Sequence, residues 1–125
     1  MNGIKYFLDT NAIINLLNGN SYLKKRLNNA DWIGISVISQ LEFLSYSKIS
    51  ELDKQLFSTF LQRVEVVNLV NSHIQLASEI ISIRKHNKLK LPDAIIAASA
   101  VINNCILVTN DKAFDKVTTL QALTY

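Results

Sequence analysis

Four carboxylates stand where this 125-residue chain most readily places chemistry: Asp9, Glu42, Asp93 and Asp111. Asp9 closes the apolar run Ile4-Lys5-Tyr6-Phe7-Leu8 and is followed by Thr10, Asn11 and a helical pattern beginning with Ala12, Ile13 and Ile14. Glu42 lies three residues after Ser39, Asp93 follows Pro92, and Asp111 ends Leu107-Val108-Thr109-Asn110. Each also has a purely architectural reading. Asp9 is a good helix N-cap. Ser39-Gln40-Leu41-Glu42 fits the capping box S-x-x-E, in which Glu reaches back to the N-cap amide. A carboxylate in a first helical turn, as at Asp93, gains roughly 0.3–1 kcal/mol from the helix dipole. Asp111 suits a cap or a turn.

Together the acids say more than each alone. Asp9, Glu42 and Asp111 come at or soon after the carboxyl ends of expected strands, where open parallel sheets bind ligands. Carboxylates gathered in one cleft repel one another, and a hard divalent cation relieves that repulsion. Mg²⁺ takes one or two protein carboxylates, keeps several waters and picks up phosphate oxygens. An acidic site without a nucleophile suggests metal-assisted phosphodiester hydrolysis, the metal lowering the pKa of water and stabilising charge on phosphate. The chain has no G-x-x-x-x-G-K-[ST], no G-x-G-x-x-G and only three glycines, which argues against a phosphate-cradling nucleotide site. No G-x-S-x-G elbow is present. His73 and His86 flank a long helical pattern without metal-ligand spacing and read as surface or helix-end residues.

The elements that must carry these acids follow from periodicity. Residues 4–8 read as a continuous apolar strand, as in a sheet covered on both faces. Helices are expected over 11–18 and 22–29, separated by the turn signal Asn18-Gly19-Asn20-Ser21. Residues 32–36 form a second strand, after which Ser39 opens a helix to about residue 47. A helix covers 51–62, with Leu52, Leu56, Phe57, Phe60 and Leu61 as its apolar positions. Residues 64–67 have strand composition, and 71–87 carry the longest helical pattern. Pro92 starts a helix through 103, where its missing N–H is harmless. Residues 105–109 form a fourth strand, 111–116 a short turn or helix, and 117–120 an edge strand. Strands alternating with helices imply a parallel sheet built from right-handed crossovers.

The bulk numbers agree. Apolar residues make up 49% and charged residues 18%, a globular composition without a disorder signature. The length reads as one domain over 1–125 with a proper core. No apolar run approaches the roughly 18 residues of a membrane span. The N-terminus lacks a signal-type leader, so the expectation is a cytoplasmic protein without a membrane partner. Cys105 is the single cysteine and reads as a small core residue. The net charge of +3 mildly favours a polyanionic partner such as nucleic acid.

Four segments, in order and spacing, resemble the acidic motifs of PIN-domain ribonucleases, most closely the VapC-type toxins of bacterial toxin–antitoxin pairs. They are Phe7-Leu8-Asp9-Thr10-Asn11, Ser39-Gln40-Leu41-Glu42, Leu91-Pro92-Asp93-Ala94-Ile95-Ile96-Ala97-Ala98 and Leu107-Val108-Thr109-Asn110-Asp111-Lys112-Ala113-Phe114. The resemblance implies a three-layer α/β/α fold with a central parallel sheet of four to five strands. It implies Mg²⁺- or Mn²⁺-dependent endonucleolytic cleavage of RNA. It puts Asp9, Glu42, Asp93 and Asp111 in the acidic metal site, as catalytic groups, and makes Thr10, Asn11 and Thr109 its supporting polar residues. With Asp9 as a ligand, Thr10 or Asn11 takes over the capping role. Many relatives carry an acid immediately before the Phe of the fourth motif. This chain has Ala113 there, and Asp115 is the candidate substitute.

Arg84, Lys85, Lys88 and Lys90 cluster before Asp93 and are candidate RNA-backbone contacts, against a bland reading as a solvated helix C-terminus. The resemblance also implies a homodimer and an antitoxin partner whose C-terminal segment lies in an apolar groove near the acids. Tyr22, Leu23, Phe43, Leu44 and Tyr46 are candidates for that groove, or else ordinary core or dimer contacts. The competing readings are a non-catalytic PIN module that binds RNA or protein, and a metal-dependent phosphatase or DNA nuclease.

Overall fold

The structure is a computed structural model describing residues 3–69 and 74–125; His73 and the first residues of the helix expected from 71 lie outside the described residues. The strands are β1 (Lys5–Leu8), β2 (Trp32–Ser36), β3 (Glu65–Val67), β4 (Ile106–Val108) and β5 (Gln121–Leu123). The helices are α1 (Thr10–Leu17), α2 (Ser21–Leu27), α3 (Val37–Leu44), α4 (Glu51–Leu61), α5 (Ile74–Asn87) and α6 (Leu91–Ile102), with a 3₁₀ turn over Lys112–Lys116. All strand pairs are parallel, in the order β3-β2-β1-β4-β5. This is the expected α/β/α sandwich, with the full five strands.

The continuous apolar run of β1 is used as a strand buried on both faces requires. Tyr6 and Leu8 point into one core layer with Ala12, Ile13, Leu23, Phe43, Phe57 and Phe60, from α1 to α4. Phe7 points into the other, with Leu76, Ile83, Ala94, Ile96, Ala97 and Phe114, from α5, α6 and the 3₁₀ turn. Phe43 and Phe57 stack at 4.2 Å between centroids, joining α3 to α4. Helix α6 is buried continuously from Ala94 to Ala100, its Ala- and Ile-rich middle, while both ends reach the surface. No helix among the described residues is long and apolar enough to cross a membrane.

Two expectations are corrected. Helix α3 begins three residues early. Ser36, fully buried at the end of β2, is its N-cap, and its hydroxyl accepts from the Ile38 amide at 3.1 Å. Ser39 is therefore an interior helical residue, and the Ser39–Glu42 capping box does not form. A real capping box opens α4, where Ser50 and Asp53 exchange bonds of 3.0 and 3.1 Å. The edge strand lies at Gln121–Leu123 rather than 117–120. The chain turns twice there, Val117 N donating to Phe114 O at 3.1 Å and Leu120 N to Val117 O at 3.1 Å. Val117 thereby anchors in the core instead of pairing with β4.

The strand order fixes where a cleft can open. From β1 the chain proceeds to β2 and β3 on one side, then returns to place β4 and β5 on the other. Connections leave β1 and β4 in opposite directions, so a crevice opens beyond their carboxyl ends. Asp9 N donates to Val108 O at 3.3 Å at that point.

The opposite end of the sheet is held by Trp32. Its Nε1 donates to Glu65 Oε2 at 2.7 Å, and Lys5 Nζ lies 5.0 Å from the indole centroid. The indole lies over Gly34, and a Cβ at Gly34 would collide with the ring. Gly34→Ala should lower stability by about 1–3 kcal/mol through overpacking, read as a fall in thermal midpoint. Trp32→Leu should recover part of that loss in the double variant; costs that simply add would disprove the contact.

Candidate active site

Asp9 is only 5% exposed, and both its oxygens are engaged. Oδ1 accepts from the Ala12 amide at 2.8 Å, and Oδ2 accepts from the Thr109 hydroxyl. Asp9 is thus itself the N-cap of α1, with extended backbone at φ −74°, ψ 172°. The capping role does not pass to Thr10 or Asn11, because the helix starts at Thr10. Asp9 is at once the cap of α1 and an acid of the cleft.

Thr109, 2% exposed, joins the next acid to the first. Its amide donates to Leu123 O at 2.9 Å, fixing it against β5. Its hydroxyl donates to Asp9 and accepts from the Asp111 amide at 3.0 Å. Asp111 caps the 3₁₀ turn, Oδ1 accepting from the Ala113 amide at 2.9 Å. Glu42 comes from the middle of α3, where the early start of the helix sets it beside α1. Its Oε1 accepts from Thr10 Oγ1 at 2.7 Å, and Ser39 Oγ lies 3.0 Å from the same Thr10 oxygen. Thr10 has one hydroxyl hydrogen; given to the carboxylate, it leaves Thr10 to accept from Ser39. Asp93 sits in the first turn of α6, a helix whose N-cap, Lys90, makes no side-chain cap.

All four acids line one cleft of about 170 Å³ with Thr10, Asn11, Ile96 and Phe114. Burial pushes the Asp9 carboxyl up; its bonds to Thr109 and Ala12 oppose this, and the charges of Asp111 and Asp93 add to it. Burial also raises Asp93, reinforced by Asp111 and Glu42 and opposed by Lys90. The acids therefore feel one another across the cleft. Every donor in the set is oxygen, which suits a hard cation. Among the described residues no three ligating side chains converge tightly enough to cage an ion. The acids line an open cleft instead, an arrangement compatible with Mg²⁺, which retains waters and accepts few protein ligands.

The remaining expectations divide. Asn11 lines the cleft. Arg84 and Lys85 lie in the last turn of α5, and Lys88 and Lys90 in the link to α6, all exposed. Of these four, only Lys90 appears among the charges acting on the raised acids. Asp115, the candidate substitute for an acid at Ala113, is exposed and absent from the cleft lining. Cys105 is buried, as expected, and burial pushes its thiol up to about 11.

An apolar groove of about 540 Å³ adjoins the cleft and shares Thr10, Asn11 and Glu42 with it. Ile14, Leu17, Phe43, Tyr46 and Ile49 form its apolar wall. Phe43 and Tyr46 were expected there. Leu23 is instead buried in the core under α2, while Tyr22 and Leu44 are exposed and outside the lining. Sequence reasoning missed Ser39 as the partner of Thr10, and Ile96 as a cleft wall. It also missed Tyr125, whose amide donates to Asn110 Oδ1 at 2.7 Å. Helical spacing places Ile96 one turn after Asp93 and was the available signal; none pointed to Tyr125.

The family model described as PIN domain matches residues 6–120. Among solved structures, the chain is similar to VapBC2 from Rickettsia felis bound to a promoter DNA fragment. That match has a TM-score of 0.81 at 24% identity, covering 98% of this chain and 99% of that one. A toxin–antitoxin complex from Klebsiella pneumoniae matches at TM-score 0.76 and 27% identity, covering 95% and 96% of the two chains. VapBC-1 from nontypeable Haemophilus influenzae matches at TM-score 0.81 and 24% identity, covering 97% and 98%. No curated protein matches the sequence.

The repulsion has a measurable sign. Asp9 and Asp93 are raised in the folded chain above the ordinary 3.8. Between 3.8 and the raised values the folded chain holds more protons than the unfolded one, so these acids cost stability as pH rises through that window. In chelator, Asp93→Asn should melt above the wild type at pH 7, with the gap closing as pH falls toward 3.8. A variant that melts lower at pH 7 and keeps that deficit in acid would contradict the assignment.

Proposed function

The chain belongs to the PIN domain family, and we propose that it is a divalent-metal-dependent endoribonuclease, the toxin of a toxin–antitoxin pair. One observation carries this reading: Asp9, Glu42, Asp93 and Asp111, from four separate elements, line a single cleft beyond the carboxyl ends of β1 and β4. In this reading the four acids hold Mg²⁺ or Mn²⁺. When bound, such an ion lowers the pKa of a water and stabilises charge on a phosphate.

The chain's own residues set up that chemistry. Thr109 and the Ala12 amide hold Asp9 in one orientation. Thr10 aligns Glu42 from the facing helix. The Ala113 amide engages one oxygen of Asp111, leaving the other for a ligand. Phe114 and Ile96 form the apolar wall of the cleft. Lys90 offsets part of the negative field at Asp93 and supplies a cation for an incoming phosphate backbone, the role proposed for Arg84, Lys85 and Lys88 farther out.

The partners follow the same reading. The structural neighbours include toxin–antitoxin complexes, which supports an antitoxin partner here. The groove beside the acids offers apolar anchoring for a peptide segment that would also block the cleft. A homodimer belongs to the proposal; exposed Leu41 and Leu44 on α3 and Ile74 and Ile81 on α5 are surface available for it. The competing reading, a non-catalytic PIN module, draws on the open spacing of the acids.

With Mg²⁺ or Mn²⁺ the protein should cleave RNA in preference to DNA or a phosphomonoester. Chelator or Asp9→Asn should reduce the rate by about a hundredfold or more, corresponding to about 2.7 kcal/mol of transition-state stabilisation. Activity that survives both changes would refute the proposal, and absence of both cleavage and Mn²⁺ binding would favour the non-catalytic module. Tyr46→Glu, at a residue 61% exposed, should leave cleavage intact. It should weaken inhibition by the product of a small neighbouring reading frame by at least about tenfold, as a charge placed in an apolar groove requires.

A further inference from the structure

Asn110 stands between Thr109 and Asp111, yet its side chain takes no part in the cleft lining. It turns the other way, to Tyr125, two residues beyond β5. Asn110 Nδ2 donates to Tyr125 O at 2.8 Å, and Tyr125 N donates to Asn110 Oδ1 at 2.7 Å. The amide side chain thus imitates a strand residue and extends the β4–β5 ladder past its last pair, Val108 with Leu123. The bond from Thr109 N to Leu123 O at 2.9 Å lies just before it. Tyr125 is anchored in turn: its side chain packs against the core layer of α1 to α4, and its phenol accepts from Asn15 Nδ2 at 3.2 Å. Burial raises the phenol, and the charge of Asp9 adds to this, which puts Tyr125 within electrostatic range of the first acid.

We propose that the Asn110–Tyr125 clamp is a positioning device that holds Thr109 and Asp111 in register with Asp9. The loop it pins is short, and it is exposed at Asn110 and Asp111, immediately after the buried Thr109. Without the clamp, the segment after β4 keeps one backbone bond to β5, through Thr109. Rotation of the Asn110 peptide would then separate the Asp111 amide from the Thr109 hydroxyl, which is the link between the two acids. Residues that orient ligating groups from behind commonly matter by about 10- to 100-fold in metal affinity or activity. The chemical consequence rests on the metal-site reading; the positioning itself does not.

The test uses Asn110→Ala and Tyr125→Phe. The Phe variant keeps both main-chain bonds of the clamp and loses only the phenol. Amide hydrogen exchange without metal reads the positioning, with β1 amides as the internal control. In Asn110→Ala the Asp111 and Ala113 amides should exchange about tenfold faster, as expected of local opening. Tyr125→Phe should leave them unchanged. Titration with Mn²⁺ alone reads the consequence: Asn110→Ala should bind about tenfold or more weakly, at a thermal midpoint close to the wild type. Isosteric Asn110→Asp keeps the acceptor and loses the donor, and should show the same exchange change if the alanine variant folds poorly. Unchanged exchange and unchanged Mn²⁺ affinity in Asn110→Ala would overturn the clamp, as would Tyr125→Phe matching the Asn110→Ala defect. Faster exchange in a protein whose wild type binds no Mn²⁺ would support the clamp and remove the metal reading instead.

Discussion

The structure depends on holding like charges together. Asp9, Glu42, Asp93 and Asp111 share one cleft, and burial and mutual repulsion raise the first and third above the ordinary aspartate range. Left free, such side chains would swing into solvent and separate. Three of the four are instead tied by hydrogen bonds. The most constrained is Asp9, held by the Ala12 amide and the Thr109 hydroxyl. Thr109 is therefore central, since one hydroxyl restrains two acids from different strands.

That restraint needs a rigid frame. Strand β1 lies in the middle of the sheet with Tyr6 and Leu8 in one core layer and Phe7 in the other. A strand packed on both faces cannot shift by one residue without sending its apolar side chains to the wrong layer. The position of Asp9 is fixed by the same burial that stabilises the sheet. Because the connections leave the parallel strands β1 and β4 in opposite directions, the space beyond their carboxyl ends stays open. Helix N-termini complete the arrangement: α1 and the 3₁₀ turn are capped by acids of the cleft themselves. The same residues begin these elements and line the cleft.

A toxin reading adds a requirement that the groove meets in part. Its apolar wall, with Phe43, Tyr46 and Ile14, is continuous with the acidic cleft through Thr10, Asn11 and Glu42. A partner seated in the groove would reach the acids without a change of fold. Recognition and inhibition could then share one surface.

Much of this was written in the chain. The apolar runs of β1, β2 and β4, the Ala- and Ile-rich α6 and the alternation of strands with helices determined the sandwich, because these patterns report burial directly. The acids at strand ends and at the start of α6 were visible by position and type. The sequence could not decide between cap and ligand at Asp9, because capping is a local interaction that any strand-to-helix junction permits. Only the folded chain, which brings Thr109 against Asp9 across a separation of 100 residues, makes the cap of α1 an acid of the cleft as well. The start of α3 was misread for a related reason. Ser36 and Ser39 are equally good caps by sequence, and burial at the end of β2 selects Ser36. Likewise, no local pattern linked Asn110 to Tyr125, whose meeting depends on β5 pairing beside β4. Local spacing carries the elements and the residue types. Contacts between residues far apart in sequence arise from sheet order and layer packing, and these set the orientation of every acid in the cleft.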